Sequence, residues 1–322
     1  MPPSRFTREL RASLRPQSKR ELAAQGTGPG KLRGSGWRQS VRGFHTPAIE
    51  GRITAAQRII DVSPLLTGGA VLGGWAAAYL HGADWLDGFD PRTFEPMPID
   101  CIGAKRRNLD LVRYHNNRLG AGDWSTRHGL PVTTPLRTAF DGARWAESLE
   151  VAVVFLDAMT KFIGLPMDAF EKYARAHRCS TGIQQALAAA ALVVPGSRSP
   201  NESRLRVCYR QGARLPLPLL NVPVFWGDRF IGIPDLFDPD AALATEFDGD
   251  QHRDPEQHRR DNIREELFEA ANVAVVRVAK GDLNHDRARM IARMRNGYDR
   301  GIDRDRTKDR WTLVQPEWWG YR

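Results

Sequence analysis

The fold is decided by Pro234-Asp235 and by Glu246-Phe247-Asp248-Gly249-Asp250-Gln251-His252, which begins eleven residues after the aspartate. Alternate side chains of a β-strand point to the same face. A strand over Ala242–Asp248 therefore places Glu246 and Asp248 on one face and directs Phe247 into the core. Two carboxylates on one face repel each other, and burial strengthens the repulsion. A divalent cation relieves it, and sites rich in carboxylate oxygens suit Mg²⁺ or Mn²⁺.

Asp235 is expected to supply a third carboxylate from the preceding strand. A hairpin with a symmetric turn at Asp238-Pro239-Asp240 pairs Asp235 with Leu243 rather than with Glu246. This offset of three residues corresponds to about 10 Å along a strand. We therefore expect a β-bulge, or a bend at Pro234, to bring Asp235 beside Glu246.

The sequence on either side of this hairpin predicts alternating helices and strands. The predicted elements are a helix from Ser199 to Gln211, strands Asn221–Phe225, Arg229–Phe237 and Ala242–Asp248, a helix from Asp254 to about Ala271, strand Val273–Val278 and helix Arg287–Asn296. The predicted fold class is therefore mixed α/β (α+β), and the C-terminal core has the order α-β-β-β-α-β.

This order and its motif residues resemble a PD-(D/E)XK nuclease fold. The blocks Glu246-Phe247-Asp248-Gly249-x-x-His252, Asp261-x-x-Arg264 and Val275-Val276-Arg277 are similar to endonuclease-like domains related to very-short-patch-repair endonucleases. The likeness covers about Pro200–Leu283. Asp248 stands in the place of the lysine of the Glu-x-Lys motif, as in that group of domains, so the identity of the water-activating base stays open.

The resemblance implies a metal site and a phosphate site. Asp235 and Glu246, joined by Glu202, would hold Mg²⁺ or Mn²⁺, and Asp248 or His252 would orient or activate the attacking water. The further candidates are Arg264 and Arg277 for the scissile phosphate and Lys280 as a substitute for the missing lysine.

Several of these residues also have simpler structural interpretations. The stretch Ser199-Pro200-Asn201-Glu202 fits a helix capping box, in which the Glu202 side chain accepts a hydrogen bond from the Ser199 backbone amide. Asp261 and Arg264 lie one helical turn apart and are able to pair with each other. The carboxylates could equally belong to an exposed hairpin, and histidines such as His252 are common in loops.

Residues 1–58 carry the whole positive excess of the chain. The net charge is +9, and this segment holds 12 Lys and Arg against three acidic residues. Such a basic arm attracts phosphate backbones, and the alternative is a solvated tail. A short helix at Arg20–Gly26 and strands around Trp37 and Val41–His45 predict a degenerate winged-helix unit, because glycines in Gly28–Gly36 interrupt the place of a recognition helix.

Residues 59–197 are predicted to form a mixed α/β middle region, followed by residues 198–322 as the endonuclease-like domain. The stretches Trp75–Gly82 and Gly129–Ala139 resemble AbiEi-type antitoxin and regulator proteins of type IV toxin–antitoxin systems. The likeness runs over roughly 17–160. It implies a preceding winged helix, DNA as a partner, and a cognate toxin or regulator protein as a second partner. Asp141 is expected to be structural.

The composition excludes several classes of protein. The chain is 41% apolar and 26% charged, which is typical of a soluble globular protein and not of a disordered one. Its three cysteines are far apart and form no C-x-x-C, which disfavours a disulfide framework and fits a cytoplasmic protein. No apolar signal segment is recognised, and the uncharged stretch Val62–Ala83 is too rich in glycine to span a membrane, so no membrane partner is expected.

The sequence therefore predicts a metal-dependent DNA endonuclease-like protein, acting in DNA repair, phage defence or a toxin–antitoxin context. The alternative is a non-enzymatic DNA-binding transcriptional regulator of the type IV antitoxin type, in which the nuclease fold is inactive, because a fold does not establish an activity. The discriminating feature is whether three carboxylates converge within the reach of one metal ion.

Overall fold

The computed structural model of the protein describes residues 5–90, 93–103, 109–249 and 255–321. The chain divides into two compact units, Met1–Ala191 (unit 1) and Leu192–Arg322 (unit 2). The predicted basic arm and nearly all of the predicted middle region lie in unit 1. The predicted endonuclease-like domain lies in unit 2, together with residues 192–197.

The first part of unit 1 combines short helices with a small antiparallel sheet. Its elements are α1 (Arg5–Ala12), β1 (Gln17–Ser18), α2 (Lys19–Ala24), α3 (Pro29–Leu32), β2 (Trp37–Val41), β3 (Phe44–Pro47) and α4 (Ala55–Asp61), and the strand order is β1-β3-β2. Ser18 caps α2 because its hydroxyl accepts from the Glu21 amide while the Glu21 carboxylate accepts from the Ser18 amide. The glycine-rich stretch forms only α3, which has four residues.

The basic segment belongs to the folded core of unit 1. Leu22, Val41 and Ala56 are buried, and Val41 and Ala56 share an apolar cluster with Leu72 and Trp75. A segment that contributes to the core cannot be removed without exposing the rest of the cluster. The alternative interpretation as a solvated tail is therefore wrong for these residues.

The rest of unit 1 is a five-stranded mixed sheet with helices. The elements are β4 (Val71–Leu72), α5 (Gly74–His81), β5 (Ile99–Ile102), β6 (Val112–His115), β7 (Trp124–Arg127), β8 (Leu130–Thr133), α6 (Pro135–Trp145), α7 (Leu149–Ile163), α8 (Met167–Ala176) and α9 (Ile183–Ala190). The strand order is β6-β5-β4-β8-β7, with β5–β6 and β4–β8 parallel. Unit 1 is thus mixed α/β, as predicted.

Unit 2 has the predicted alternation of helices and strands, with one additional hairpin. Its elements are α10 (Pro200–Val207), β9 (Leu219–Leu220), β10 (Val224–Trp226), β11 (Arg229–Gly232), β12 (Leu236–Asp238), β13 (Leu243–Asp248), α11 (Pro255–Ala270), β14 (Ala274–Ala279), α12 (Lys280–Asn284) and α13 (Arg287–Ile302). A four-stranded sheet has the order β14-β13-β12-β9, and β10 and β11 pair separately.

Two of the predicted strands have other bounds in the structure. The predicted strand Arg229–Phe237 is broken at Ile233-Pro234-Asp235, because a proline cannot donate to a sheet and is disfavoured inside a central strand. The predicted strand Asn221–Phe225 is also wrong in its extent. The segment that pairs with β12 is β9, whereas β10 pairs with β11.

The hairpin between β12 and β13 has a different register from the predicted one. Leu236 pairs with Thr245 and Asp238 pairs with Leu243, so that four residues form the loop. The Asp238 carboxylate accepts hydrogen bonds from the amides of Asp240 and Ala241 and holds this wider turn. The predicted pairing of Asp235 with Leu243 is therefore wrong, and no bulge is needed to close an offset of three residues.

The sheet of unit 2 buries a different apolar cluster on each face. Leu243 and Val276 belong to a cluster that includes Met290 and Met294 of α13, with Phe247 packed against it. Ala244 belongs to the other cluster, which includes Phe268 of α11. This alternation places Glu246 and Asp248 on the α11 face of β13, as the period of the sequence predicts.

Within the residues that the structure describes, no helix combines the length and the apolar character needed to cross a lipid bilayer.

Candidate functional site

Asp235 and Glu246 lie opposite each other at the end of the β12–β13 hairpin. Asp235 directly precedes β12, one position beyond the pair formed by Leu236 and Thr245. Its Oδ2 accepts a hydrogen bond of 2.7 Å from the amide of Phe247, which fixes the carboxylate against β13. The register of the hairpin therefore brings together the two carboxylates that the sequence analysis singled out.

Both carboxylates line a small cavity on the α11 face of the sheet. The cavity has a volume of about 130 Å³ and is lined by Ile233, Asp235, Glu246, Phe247, Asp248, Arg264 and Arg277. Asp248 thus lies at the site, as predicted. Among the described residues, the lining does not include Lys280, which instead starts α12 after β14.

Burial raises the pKa of both acids. The pKa of Asp235 rises from 3.8 to about 6, mainly because the carboxyl group is desolvated and secondarily because Glu202 and Glu246 carry like charges; the Phe247 amide and Arg264 oppose the rise. The pKa of Glu246 is also raised by desolvation, although Arg264 and Arg277 favour its charged form. Burial therefore disfavours the charged form of both acids by more than the nearby arginines favour it.

Arg264 of α11 neutralises one of these acids in part. Its guanidinium lies 2.9 Å from Glu246 Oε2 and 3.4 Å from Asp261, so the predicted pair of Asp261 and Arg264 forms but is shared with Glu246. The arginine reaches Glu246 across Gly232, where an added Cβ would lie 2.8 Å from Arg264 Cδ. Sequence reasoning did not identify Gly232, because only the fold shows which side chain crosses it.

Arg277 of β14 stands beside the cavity with a partner of its own. Its guanidinium lies 2.7 Å from Glu265 of α11 and also donates to the Asp261 carbonyl oxygen at 3.2 Å. Glu246 and Arg277 occupy paired positions of the parallel strands β13 and β14. Both predicted phosphate-binding arginines are therefore at the carboxylate cavity.

Glu202 is held near Asp235 rather than in a reciprocal capping box. Ser199 accepts from the Glu202 amide, as a cap predicts, but the Glu202 carboxylate accepts from the amide of Arg198 and from Nδ2 of Asn221. Asn221 also donates its backbone amide to the Asp235 carbonyl oxygen. Asn221 thus links Glu202 to Asp235, and no sequence motif pointed to it.

The donor set suits a hard divalent cation. Among the described residues, Asp235 Oδ1 and Glu246 Oε1 accept no hydrogen bond, so each acid retains one oxygen for a ligand. In the described parts of the chain, no group of three His, Cys, Asp or Glu side chains has a metal-ligating arrangement, so the expected convergence of Asp235, Glu246 and Glu202 as three ligands is not found. Mg²⁺ is commonly held by one or two carboxylates and completes its shell with water and substrate phosphate. The two acids fit that mode.

His252 lies outside the described residues. Its predicted role in water activation therefore stays a prediction.

Comparisons of the chain with protein-family models, with curated proteins and with solved structures found no match.

Proposed function

We propose that the protein is a metal-dependent DNA endonuclease whose hydrolytic site is the carboxylate cavity of unit 2. The observation that carries the proposal is the facing pair of Asp235 and Glu246. Both acids are largely buried, both have raised pKa values, and both keep one oxygen without a hydrogen bond from the described residues. Incompletely neutralised acids in a cavity are candidates for function, because burying a charge without a full set of partners costs stability.

The topology of unit 2 supports a fold of the PD-(D/E)XK type related to very-short-patch-repair endonucleases. β12 is antiparallel to β9 and β13, β13 is parallel to β14, and α11 connects the two parallel strands. With α10 in front, this is the order α-β-β-β-α-β of the resemblance. The β10–β11 hairpin is an addition between the first and second strands of that core.

Asp235 and Glu246 would hold Mg²⁺ or Mn²⁺, and Glu202 would add negative charge from α10. A divalent cation there lowers the pKa of bound water and stabilises the charge that develops on a phosphate. The Phe247 amide orients Asp235, and Asn221 positions Glu202. Arg264 and Arg277 provide positive charge on the α11 side, where they are placed to bind the phosphate under attack. Asp248 and His252 are the candidates for orienting the attacking water or accepting its proton.

Unit 1 is proposed to bind DNA through a reduced winged helix. The element order α1-β1-α2-α3-β2-β3 and the strand order β1-β3-β2 support this fold. Lys31 and Arg33 lie at α3 and Arg42 lies in the turn between β2 and β3, and all three are exposed. Because α3 has only four residues, these charges serve contacts to the phosphate backbone better than the reading of base edges.

One observation favours the alternative, a non-enzymatic DNA-binding regulator with a cognate toxin or regulator protein as its partner. The ion pair between Arg264 and Glu246 satisfies one of the two facing acids within the protein. If this pair persists when Mg²⁺ is added, Glu246 serves the fold of unit 2 and the site does not bind metal.

Cleavage of plasmid DNA tests the two functions. Supercoiled plasmid is incubated with the full chain and Mg²⁺ or Mn²⁺, and nicked and linear products are quantified. We expect metal-dependent cleavage that is lost in Asp235→Asn and retained in Glu269→Gln, an exposed acid on α11 that serves as the matched control. Absence of cleavage with either metal, together with intact DNA binding, would favour the regulator.

The role of unit 1 has its own test. Replacing Lys31, Arg33 and Arg42 together by Gln removes three exposed charges without touching the core. If each contacts a phosphate, the slope of log K against log salt falls by about 0.9 per contact. Fluorescence anisotropy with a labelled duplex measures that slope. An unchanged slope contradicts the proposed DNA-binding surface.

A further inference from the structure

A second and larger cavity of unit 2 lies between the edge strand β14 and the helix α13. Its volume is about 740 Å³, and it is lined by Val275, Val276, Arg277, Arg293, Asn296, Asp299, Arg300 and Asp303. Arg277 lines both cavities: its guanidinium contacts Glu265 and Asp261 of α11, whereas its carbonyl oxygen contacts Arg293 of α13. The two cavities therefore meet at Arg277, one on the α11 side of β14 and the other on the α13 side.

Two arginines lie at one end of this cavity, and each has a carboxylate partner: Arg277 pairs with Glu265 at 2.7 Å, and Arg293 pairs with Asp282 at 3.0 Å. The Arg293 guanidinium donates to the Arg277 carbonyl oxygen, Gly297 packs on Val276, and Gly301 packs on Ala241. The helix α13 therefore runs antiparallel to β14. Arg277 and Arg293 share the end of the cavity beside the carboxylate site.

The other end of the cavity is mixed in charge and better exposed. Arg300 lies two helical turns from Arg293 and is exposed, and its guanidinium donates to the Asn296 carbonyl oxygen. Asp299 and Asp303 contribute negative charge at this end. A polyanion would therefore enter along Arg293 and Arg300 and be repelled by Asp299.

The edge strand is poorly suited to bind a peptide as an added strand. The Ala274 amide donates to the Ala242 carbonyl oxygen, on the side of β14 that pairs with β13. Because every second residue of a parallel strand bonds to a given neighbour, the amide and carbonyl groups of Arg277 and Ala279 point away from β13. The Arg277 carbonyl already accepts from Arg293, and the Ala279 amide already donates to the Asp282 carboxylate. Two of the outward groups are thus satisfied within the chain, which blocks continuous strand pairing.

We infer that the cavity between β14 and α13 binds backbone phosphates of DNA next to the scissile phosphate. This inference rests on the proposed endonuclease function for the position of the scissile phosphate, but the binding itself is independent of cleavage. Guanidinium groups recognise phosphate oxygens through paired N–H donors, and an open cavity of this size admits a nucleotide backbone. Arg300 is the most informative residue, because no carboxylate of the described residues lies within 4.0 Å of its guanidinium.

The test measures binding of a fluorescein-labelled DNA duplex to the full chain in metal-free buffer over a range of salt concentrations. Arg300→Gln removes one charge from the cavity, and Arg289→Gln removes one exposed charge from the same helix outside it. Comparing these two variants removes the contribution that basic residues elsewhere in the chain make to DNA binding. We expect Arg300→Gln to weaken binding several-fold and to lower the salt slope by about 0.9 relative to Arg289→Gln. Asp299→Asn should tighten binding.

Each outcome decides the inference. Equal effects of Arg300→Gln and Arg289→Gln, or no tightening by Asp299→Asn, overturn it even if Asp235→Asn abolishes plasmid cleavage. A larger loss of DNA affinity with Arg300→Gln than with Arg289→Gln supports a DNA-binding site in this cavity. If the wild-type chain then cleaves no plasmid with either metal, the endonuclease fails while the DNA-binding cavity stands.

Discussion

Each unit of the protein places a pair of carboxylates largely out of solvent, but the two pairs have different partners. In unit 1, Asp141 has no exposed surface and lies between Arg137 and Arg144, at 2.7 Å from each. Arg137 also lies 3.0 Å from Asp123, whose other oxygen accepts from the Tyr173 hydroxyl. Two acids are thus matched by two guanidinium groups, and the charge is balanced inside the protein.

The acids of unit 2 are not balanced in this way. Asp235 accepts one backbone hydrogen bond and, among the described residues, has no arginine within salt-bridge distance, while Glu246 shares Arg264 with Asp261. Burial raises the pKa of Asp235, whereas burial of Asp123 is outweighed by hydrogen bonds from Gly120 and Tyr173 and by the charge of Arg137, so that its pKa is lowered. Burial alone therefore does not distinguish the two pairs, and the incomplete compensation of Asp235 is the feature on which the proposed site rests.

The largest expected effect is the loss of Asp141. Replacing Asp141 by Asn leaves two buried guanidinium groups without their shared anion, and breaking a buried pair costs about 3–5 kcal/mol. Chemical denaturation followed by circular dichroism measures the free energy of unfolding. Glu171→Gln, which removes an exposed pair with Arg175, is the control and should change it by less than about 1 kcal/mol.

Loss of the Asp235 charge in unit 2 should affect the free energy of unfolding in the opposite way from loss of the Asp141 charge in unit 1. In metal-free buffer, Asp235→Asn should be neutral or stabilising, because it removes a largely buried charge that Arg264 and the Phe247 amide offset only in part, and it keeps an oxygen for that amide. If Asp235→Asn lowered the free energy of unfolding by more than Asp141→Asn does, the Asp235 carboxylate would have a structural role.

The two units should also respond to pH in opposite directions. The folded-state pKa of Asp235 is raised, so the folded protein binds a proton that the unfolded chain releases, and stability falls as the pH rises from 3.8 to about 6. The full change is at most about 3 kcal/mol, because each tenfold change in proton affinity corresponds to about 1.4 kcal/mol. The lowered pKa of Asp123 has the reverse effect, because its contribution is lost as the pH falls.

Denaturation of the wild type and Asp235→Asn across this pH range isolates the effect of Asp235. The difference in unfolding free energy between the two proteins should grow as the pH rises. A constant difference would mean that Asp235 is solvated and that its burial has no electrostatic cost.

The sequence predicted which residues lie together at the carboxylate cavity better than it predicted the geometry that joins them. The period of two along β13 correctly places Glu246 and Asp248 on one face, because alternation depends only on the strand itself. The register of the hairpin depends on how Asp238 folds the turn, and a left-handed Ala242 with φ of 45° has no signature in the sequence. The contact between Asn221 and Glu202 joins residues far apart in the chain, which no local pattern encodes.

Metal should distinguish the two carboxylate pairs. A ligand that binds only the folded state stabilises it by RT ln(1 + [L]/Kd), which is about 1.4 kcal/mol at ten times Kd. Mg²⁺ or Mn²⁺ should therefore raise the melting temperature of the wild type and of Glu269→Gln, but raise that of Glu246→Gln much less. Equal responses of all three proteins would show that the cation acts outside the facing acids.

The smallest expected effect comes from Gly232, which gives Arg264 its path to Glu246. A Cβ at this position would lie 2.8 Å from Arg264 Cδ and 3.1 Å from the ring of the buried Phe268. The arginine is the more mobile of the two, so Gly232→Ala should displace it at a cost of about 1 kcal/mol. Gly281→Ala is the control, because nothing lies within 4 Å of its added Cβ.

Displacing Arg264 also frees the Glu246 carboxylate, which the arginine and a cation would otherwise share. Gly232→Ala should therefore lower the stability of the metal-free protein and at the same time enlarge the stabilisation by Mg²⁺. Arg264→Gln should enlarge the metal response without the steric cost, which separates the electrostatic effect from the packing effect. If neither variant changes the response to Mg²⁺, Arg264 does not compete for Glu246 and the balance of charge in unit 2 is set by other groups.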